Sequence, residues 1–144
     1  VKCRFEECDV DKLKGASEDL LVGQLLGYVR VKAVIANLAD RTKKIDVDCL
    51  VDTGAIYTMI PRDLLEKVAT KTTGSRRFRL ANGEVEEYPV GEAYVEVQGI
   101  GATSLLVFGP ERSQPLLGVT TLELLGFQVD PVSGELQPLE LYLL

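Results

Sequence analysis

An apolar run that stops on a carboxylate constrains this chain more than any other stretch. Cys49, Leu50 and Val51 suit a buried strand, and Asp52-Thr53-Gly54-Ala55-Ile56 follows at once. Gly54 supplies a turn just after the strand. The chain thus carries an aspartate to the point where a buried strand ends. A carboxylate there must be paired, hydrogen-bonded or protonated. Two readings compete. Asp52 is a turn aspartate, the common fate of Asp before Thr-Gly, or it is a catalytic acid. What the rest of the chain supplies decides between them.

Composition removes several chemistries. Among 144 residues there is no histidine, so an imidazole base or a histidine metal ligand is excluded within this chain. The net charge is −6 and no Lys/Arg run offers a phosphate-tracking patch, so no nucleic-acid partner is expected. Cys3, Cys8 and Cys49 are an odd set, unlike a disulfide framework. Zinc on Cys3 and Cys8 would need carboxylates or Cys49 to complete it, so no metal is expected. Residues 20–38 are rich in Leu and Val, but Gln24, Arg30 and Lys32 interrupt them, so no membrane span is expected. The first residues show no basic start followed by an apolar core, and a reduced, cytoplasmic setting is the expectation.

The length suits one domain with its own core. Residues 1–27 are expected to be an N-terminal extension, an arm or an added strand, with a short helix starting near Ser17. Val29, Val31, Ala33 and Ile35 alternate with Arg30, Lys32 and Val34, which predicts a half-exposed strand. A polar turn from Ala39 to Lys44 leads into a second strand, Ile45 to Val51. Tyr57-Thr58-Met59-Ile60 reads as a third, and Pro61 suits the first turn of a helix whose stripe is Leu64, Leu65 and Val68. Residues 70–76 read as loop.

Asn82-Gly83 lies between two polar strand-like arms in residues 77–88, which predicts a hairpin with a type I′ turn. It is an ordinary surface hairpin or a mobile flap. Ala93 to Val97 and Ser104 to Phe108 give two more strands. Thr120 and Glu123 have capping-box spacing, so a helix is expected to run to about Leu125, where Gly126 stops it. Residues 130–144 are expected to form a C-terminal hairpin or strand.

Leu50-Val51-Asp52-Thr53-Gly54-Ala55, the Asn-Gly hairpin and Leu116-Leu117-Gly118 stand in an order that resembles the retropepsin-like aspartic proteases. The resemblance spans residues 28–129, and Tyr57-Thr58-Met59-Ile60-Pro61 looks most like the prokaryotic branch. It implies an all-β domain with one or two short helices, a closed β-barrel of the acid protease fold, paired as a two-fold homodimer. It implies that Asp52 is the catalytic carboxylate. Thr53, Gly54 and Ala55 would complete the active loop, with the Thr53 hydroxyl bridging to the second subunit. Ala81, Asn82 and Gly83 would form the flap tip over a peptide or unfolded-protein substrate. Leu117 and Gly118 would support the loop, and residues 130–144 would contact the dimer partner. No cofactor is implied. Ile56 departs from the viral pattern, which has an aspartate there, and the flap tip has a single glycine. Those departures keep a second reading open, a catalytically silent peptide-binding or dimerisation module.

Overall fold

The computed structural model describes residues 29–143. The expected N-terminal extension, its short helix, Cys3 and Cys8 lie outside the described residues. Among the described residues, eleven elements follow one another. They are β1 (Val29–Ala36), β2 (Lys44–Val51), β3 (Thr58–Pro61), α1 (Arg62–Lys67), β4 (Thr72–Arg79) and β5 (Val85–Val97), then β6 (Ile100–Gly109), β7 (Leu116–Leu117), α2 (Val119–Leu125), β8 (Phe127–Val129) and β9 (Leu136–Pro138). The class is β with two short helices, as the sequence predicts.

Seven strands make one sheet in the order β1-β2-β7-β3-β6-β5-β4, and β1 also pairs with β5. The pairings therefore run in a circuit from β1 through β2, β7, β3, β6 and β5 back to β1. Inside it lie the apolar positions of the alternating strands: Ala33 and Ile35, Val47 and Cys49, Val95 and Val97, Leu106 and Phe108. Each of these side chains points inward because strand side chains alternate in face. From α1, Leu65 reaches this core, and from α2, Leu122 and Leu125 do. Cys49 is buried and its thiol is pushed up to about 12, first by burial and then by Asp48, so it packs as an inert apolar group.

The short β7 is the topological centre. Leu50 and Val51 of β2 run parallel to Leu116 and Leu117, while Met59 of β3 pairs with Leu116 antiparallel. A two-residue strand thus separates the strand that enters the Asp52 turn from the strand that leaves it.

Four local expectations need correction. Thr72 to Arg76 is strand, not loop, because it pairs with Tyr88 to Gly91 of β5. Its residues are polar because β4 is an exposed edge. The second hairpin arm and the strand at Ala93 are one 13-residue strand, β5. Pro89 interrupts nothing, since it sits just before β6 joins and has a ladder neighbour on one side only. Pro61 is the N-cap of α1 rather than its first helical residue. The Thr120–Glu123 capping box is not used, because α2 starts two residues earlier than that box requires, with Gly118 as its N-cap and no side-chain cap. Gly126 does end α2, at φ +75°.

Type I′ geometry belongs to a different turn. At Asn82-Gly83 only Gly83 has positive φ, +87°. The Gly83 amide donates to the Leu80 carbonyl (2.9 Å), and the Leu80 amide to the Glu84 carbonyl (2.8 Å). This is a three-residue loop, Ala81 to Gly83, with the glycine in the bulge position. Asn82 keeps negative φ, and its Oδ1 accepts from the Glu84 amide (2.9 Å). Positive φ at two successive residues occurs instead at Gln98 (52°) and Gly99 (80°), between β5 and β6.

The β8–β9 hairpin turns at residues 130–135, and its second strand ends at Pro138. Oδ1 of Asp130 accepts from the Val132 amide (3.0 Å), and Oδ2 from the Ser133 hydroxyl (2.8 Å) and Gln137 Nε2 (3.0 Å). The Val132 amide and then the Ser133 hydroxyl hold this carboxyl below its ordinary value near 3.8. A depressed carboxyl stabilises the fold above its unfolded value and loses that contribution as pH falls through the folded one. Amide exchange protection at Gly134, which donates to the Asp130 carbonyl (2.8 Å), is expected to fall on acidification below about pH 4. Asp130→Asn removes that pH step. Equal protection of the parent at neutral and acid pH would show that the carboxylate does not hold the turn.

Candidate active site

The loop between β2 and β3 is Asp52 to Tyr57, and backbone bonds clamp it along its length. The Asp52 amide donates to the Leu117 carbonyl (3.0 Å). The Ala55 amide donates back to the Asp52 carbonyl (3.1 Å), closing the turn. At its far end the loop offers two carbonyls to the start of α2. The Val119 amide donates to Ala55 (2.9 Å) and the Thr120 amide to Ile56 (3.0 Å). Amides that a helix start would otherwise leave without partners are thereby used to hold the loop.

Within this clamp the Asp52 side chain is half-buried, and its Oδ1 accepts from the Gly54 amide (2.9 Å). That bond fixes the carboxylate plane and leaves Oδ2 available. Thr53 and Gly54 are exposed, and Ile56 is 68% exposed. The structure therefore ties Asp52 to Leu117, Ala55 to Val119, and Tyr57 and Thr58 to Gly118, two stretches about sixty residues apart in the chain.

Gly118 is there for space. Its backbone is ordinary extended chain (φ −91°, ψ 169°), but a Cβ would lie 2.5 Å from the Tyr57 carbonyl carbon and 2.6 Å from its oxygen. Beneath it runs a chain of buried hydroxyls that the sequence reading missed. The Gly118 amide donates to Thr58 Oγ1 (2.9 Å), which lies 2.6 Å from Thr121 Oγ1, which lies 2.9 Å from Ser104 Oγ. Thr58, Ser104 and Thr121 are at most 2% exposed. The available signal was weak: each of the three hydroxyls is followed directly by an apolar residue, Met59, Leu105 or Leu122. Such groups are retained only when each finds a partner.

Ala81, Asn82 and Gly83 do form the tip of the β4–β5 hairpin. Among the described residues the tip bonds only within the hairpin, with the Arg79 guanidinium donating to the Gly83 carbonyl (3.0 Å). Contact with the Asp52 loop is made lower down. The Tyr57 hydroxyl accepts from Arg76 Nη1 (2.7 Å), and its ring meets Phe78 edge to face, with centroids 6.0 Å apart and planes at 87°. Phe78 in turn packs on Tyr88 at 6.0 Å. The Tyr88 hydroxyl donates to Glu86, which holds the phenol above its ordinary value. No sequence motif flagged Arg76 or Phe78 as site residues, and Tyr57 entered only as the first residue of the Tyr57 to Pro61 continuation. Among the described residues no group of three Cys, Asp or Glu is placed to hold a metal ion.

Comparison with known proteins agrees with this arrangement. Residues 41–123 match the family described as gag-polyprotein putative aspartyl protease, a stretch holding the Asp52 loop, the hairpin and Leu117-Gly118. No curated protein matches the sequence. Among solved structures, the chain is similar to a foamy viral protease–reverse transcriptase in complex with an RNA/DNA hybrid. The TM-score is 0.53 at 16% identity, over 81% of this chain and 13% of that one. It is similar also to the simian foamy virus (mac) protease in solution, with TM-score 0.48 and 19% identity, over 66% of this chain and 92% of that one. The first likeness is one of fold, and the chain spans only 13% of the viral chain that shares it.

Proposed function

We propose, from the premise that this chain belongs to the gag-polyprotein putative aspartyl protease family, that it is an aspartic endopeptidase acting on extended polypeptides. The observation that carries this reading is the clamped half-buried Asp52, held by Gly54 on one oxygen and by β7 through its own amide. Aspartic proteolysis takes two carboxylates that share one proton. The chain has one Asp-Thr-Gly. A second copy about a two-fold axis supplies the other, with the Thr53 hydroxyls bridging the two loops.

In the proposed pair, one Asp52 carboxylate takes a proton from a water molecule. The hydroxide so formed attacks the scissile carbonyl carbon, and the protonated partner gives its proton to the carbonyl oxygen. The tetrahedral species collapses when the carboxyl that took the water proton gives it to the peptide nitrogen, the C–N bond breaks, and a hydroxyl proton of the intermediate returns to the other carboxylate. Every proton moves between two carboxylates and the substrate. That is why a chain without histidine can run the reaction and no cofactor is required.

Two features support pairing. Thr53, Gly54 and Ile56 lie open in a single copy, and so do Leu141 (64%) and Tyr142 (82%) near the C-terminal end. The β8–β9 ladder is a two-stranded sheet, a marginal unit that gains from further strands. We place residues 130–144 at the dimer contact on that ground. The Tyr57 to Pro61 continuation supports the prokaryotic branch of the family, and a reduced cytoplasmic setting remains part of the proposal.

The test is cleavage of an unfolded protein mixture across pH. A carboxylate pair holding one proton gives a bell-shaped profile with an acid to weakly acidic optimum. A rate that climbs steadily into alkali would overturn the reading. Peptide binding with no cleavage at any pH would assign the chain to the silent module instead.

A further inference from the structure

We propose that Tyr57 and Arg76 form a latch that ties the β4–β5 hairpin to the Asp52 loop, which makes both of them positioning residues. The hairpin needs such a tie. β4 is an edge strand whose ladder partner is β5, and β5 gains its second neighbour only from Val90 onward. Residues 75–89 are thus a two-stranded ribbon, a form that is marginal on its own and free to swing. Every residue of β4 except Phe78 is exposed.

The ribbon has two faces. Arg76 stands opposite Tyr88, and Phe78 opposite Glu86, so these four share one face. Tyr57 meets that face three times. Its ring takes the edge contact with Phe78, its hydroxyl accepts from Arg76, and the guanidinium carbon lies 5.4 Å from its ring centroid. Among the described residues, the Arg76–Tyr57 bond is the side-chain hydrogen bond that joins the ribbon to the rest of the fold.

Tyr57 is a fixed post. The residue before it, Ile56, is held through its carbonyl by Thr120, and the residue after it, Thr58, is buried in the hydroxyl chain. A latch on this post therefore sets the distance and tilt of the hairpin relative to Asp52, which lies five positions back in the same clamped loop. A carboxylate and a covering hairpin must be placed together for a substrate to lie between them.

Tyr57→Phe keeps the ring and deletes the hydroxyl, and Arg76→Met keeps the stem and deletes the donor. Each is expected to raise amide exchange of residues 78–86 about fivefold, the weight of one net hydrogen bond. The double variant is expected to go no further than either single, because both break the same bond. Val95 and Leu106 amides and the melting temperature should not move. Unchanged hairpin exchange in both singles, or additive effects in the double, would overturn the latch. A general loss of protection would do the same.

Cleavage is the second readout and rests on the proposed role of Asp52. There kcat/KM should fall about fivefold in each single and no further in the double. If the parent cleaves nothing, the role of Asp52 fails, while the exchange result still judges the latch.

Discussion

Asp52→Asn is expected to cut polypeptide about 10²- to 10⁴-fold more slowly than the parent, the range over which a positioned acid–base group contributes. The amide matches the carboxyl in size and keeps an oxygen for the Gly54 amide, which now sits 2.9 Å from Oδ1. The clamp through Leu117, Val119 and Thr120 uses backbone atoms and should survive intact. What the amide lacks is any capacity to take a proton from water. In the proposed dimer, two carboxylates held close repel one another, and amides do not. The variant should therefore be no less stable near neutral pH. Loss of cleavage together with loss of fold would mean that Asp52 is a structural turn residue. Loss of cleavage alone is what the proposed reaction requires.

Gly118→Ala should damage the Asp52 loop more than its small size alone suggests, because the clash is with backbone. The added carbon would fall 2.5 Å, 2.6 Å and 2.9 Å from backbone atoms of Tyr57 and Thr58, so no side-chain rotation relieves it. Either β7 or the loop has to shift. Overpacking of this kind costs about 1–3 kcal/mol, and a loop displaced by about 1 Å loses roughly 10²-fold in rate. The same change at Gly74 in β4 is the control, because a Cβ there meets nothing within 4 Å. The expected result is a drop of several degrees in Tm and a large fall in kcat for Gly118→Ala, with Gly74→Ala close to the parent. Equal melting and equal turnover in the two variants would remove Gly118 from the account as a spacer.

Local pattern carried much of this fold into view. Alternation at Val29 to Ile35 and the apolar run into Asp52 announced β1 and β2, and Asn82-Gly83 announced a hairpin where one exists. What stayed hidden was non-local. Nothing in the two-residue stretch Leu116-Leu117 says that it slots between β2 and β3, and nothing in β1 says that it also pairs with β5. β4 was missed in part because an edge strand needs no apolar face, and its polar residues read as loop.

The Asp52 loop was legible because its residues are contiguous. The hydroxyl chain of Thr58, Ser104 and Thr121 was not, since its members come from β3, β6 and α2 and meet only in space. The turn at Gln98-Gly99 was missed for a different reason. Glutamine rarely takes positive φ, and here β5 and β6 over-determine it on both sides.

The proposal that one site draws an Asp52 from each of two copies has a direct test in subunit mixing. A fixed amount of parent chain is co-refolded with an equal amount of Asp52→Asn, and cleavage of excess substrate is measured. Random pairing puts about half of the parent chains into mixed dimers, each with a single carboxylate. Activity should therefore fall to about half, and further as the variant is added in excess. Activity that stays at the level of the parent alone, whatever the excess of Asp52→Asn, would mean that each chain carries a complete site and would contradict the paired mechanism.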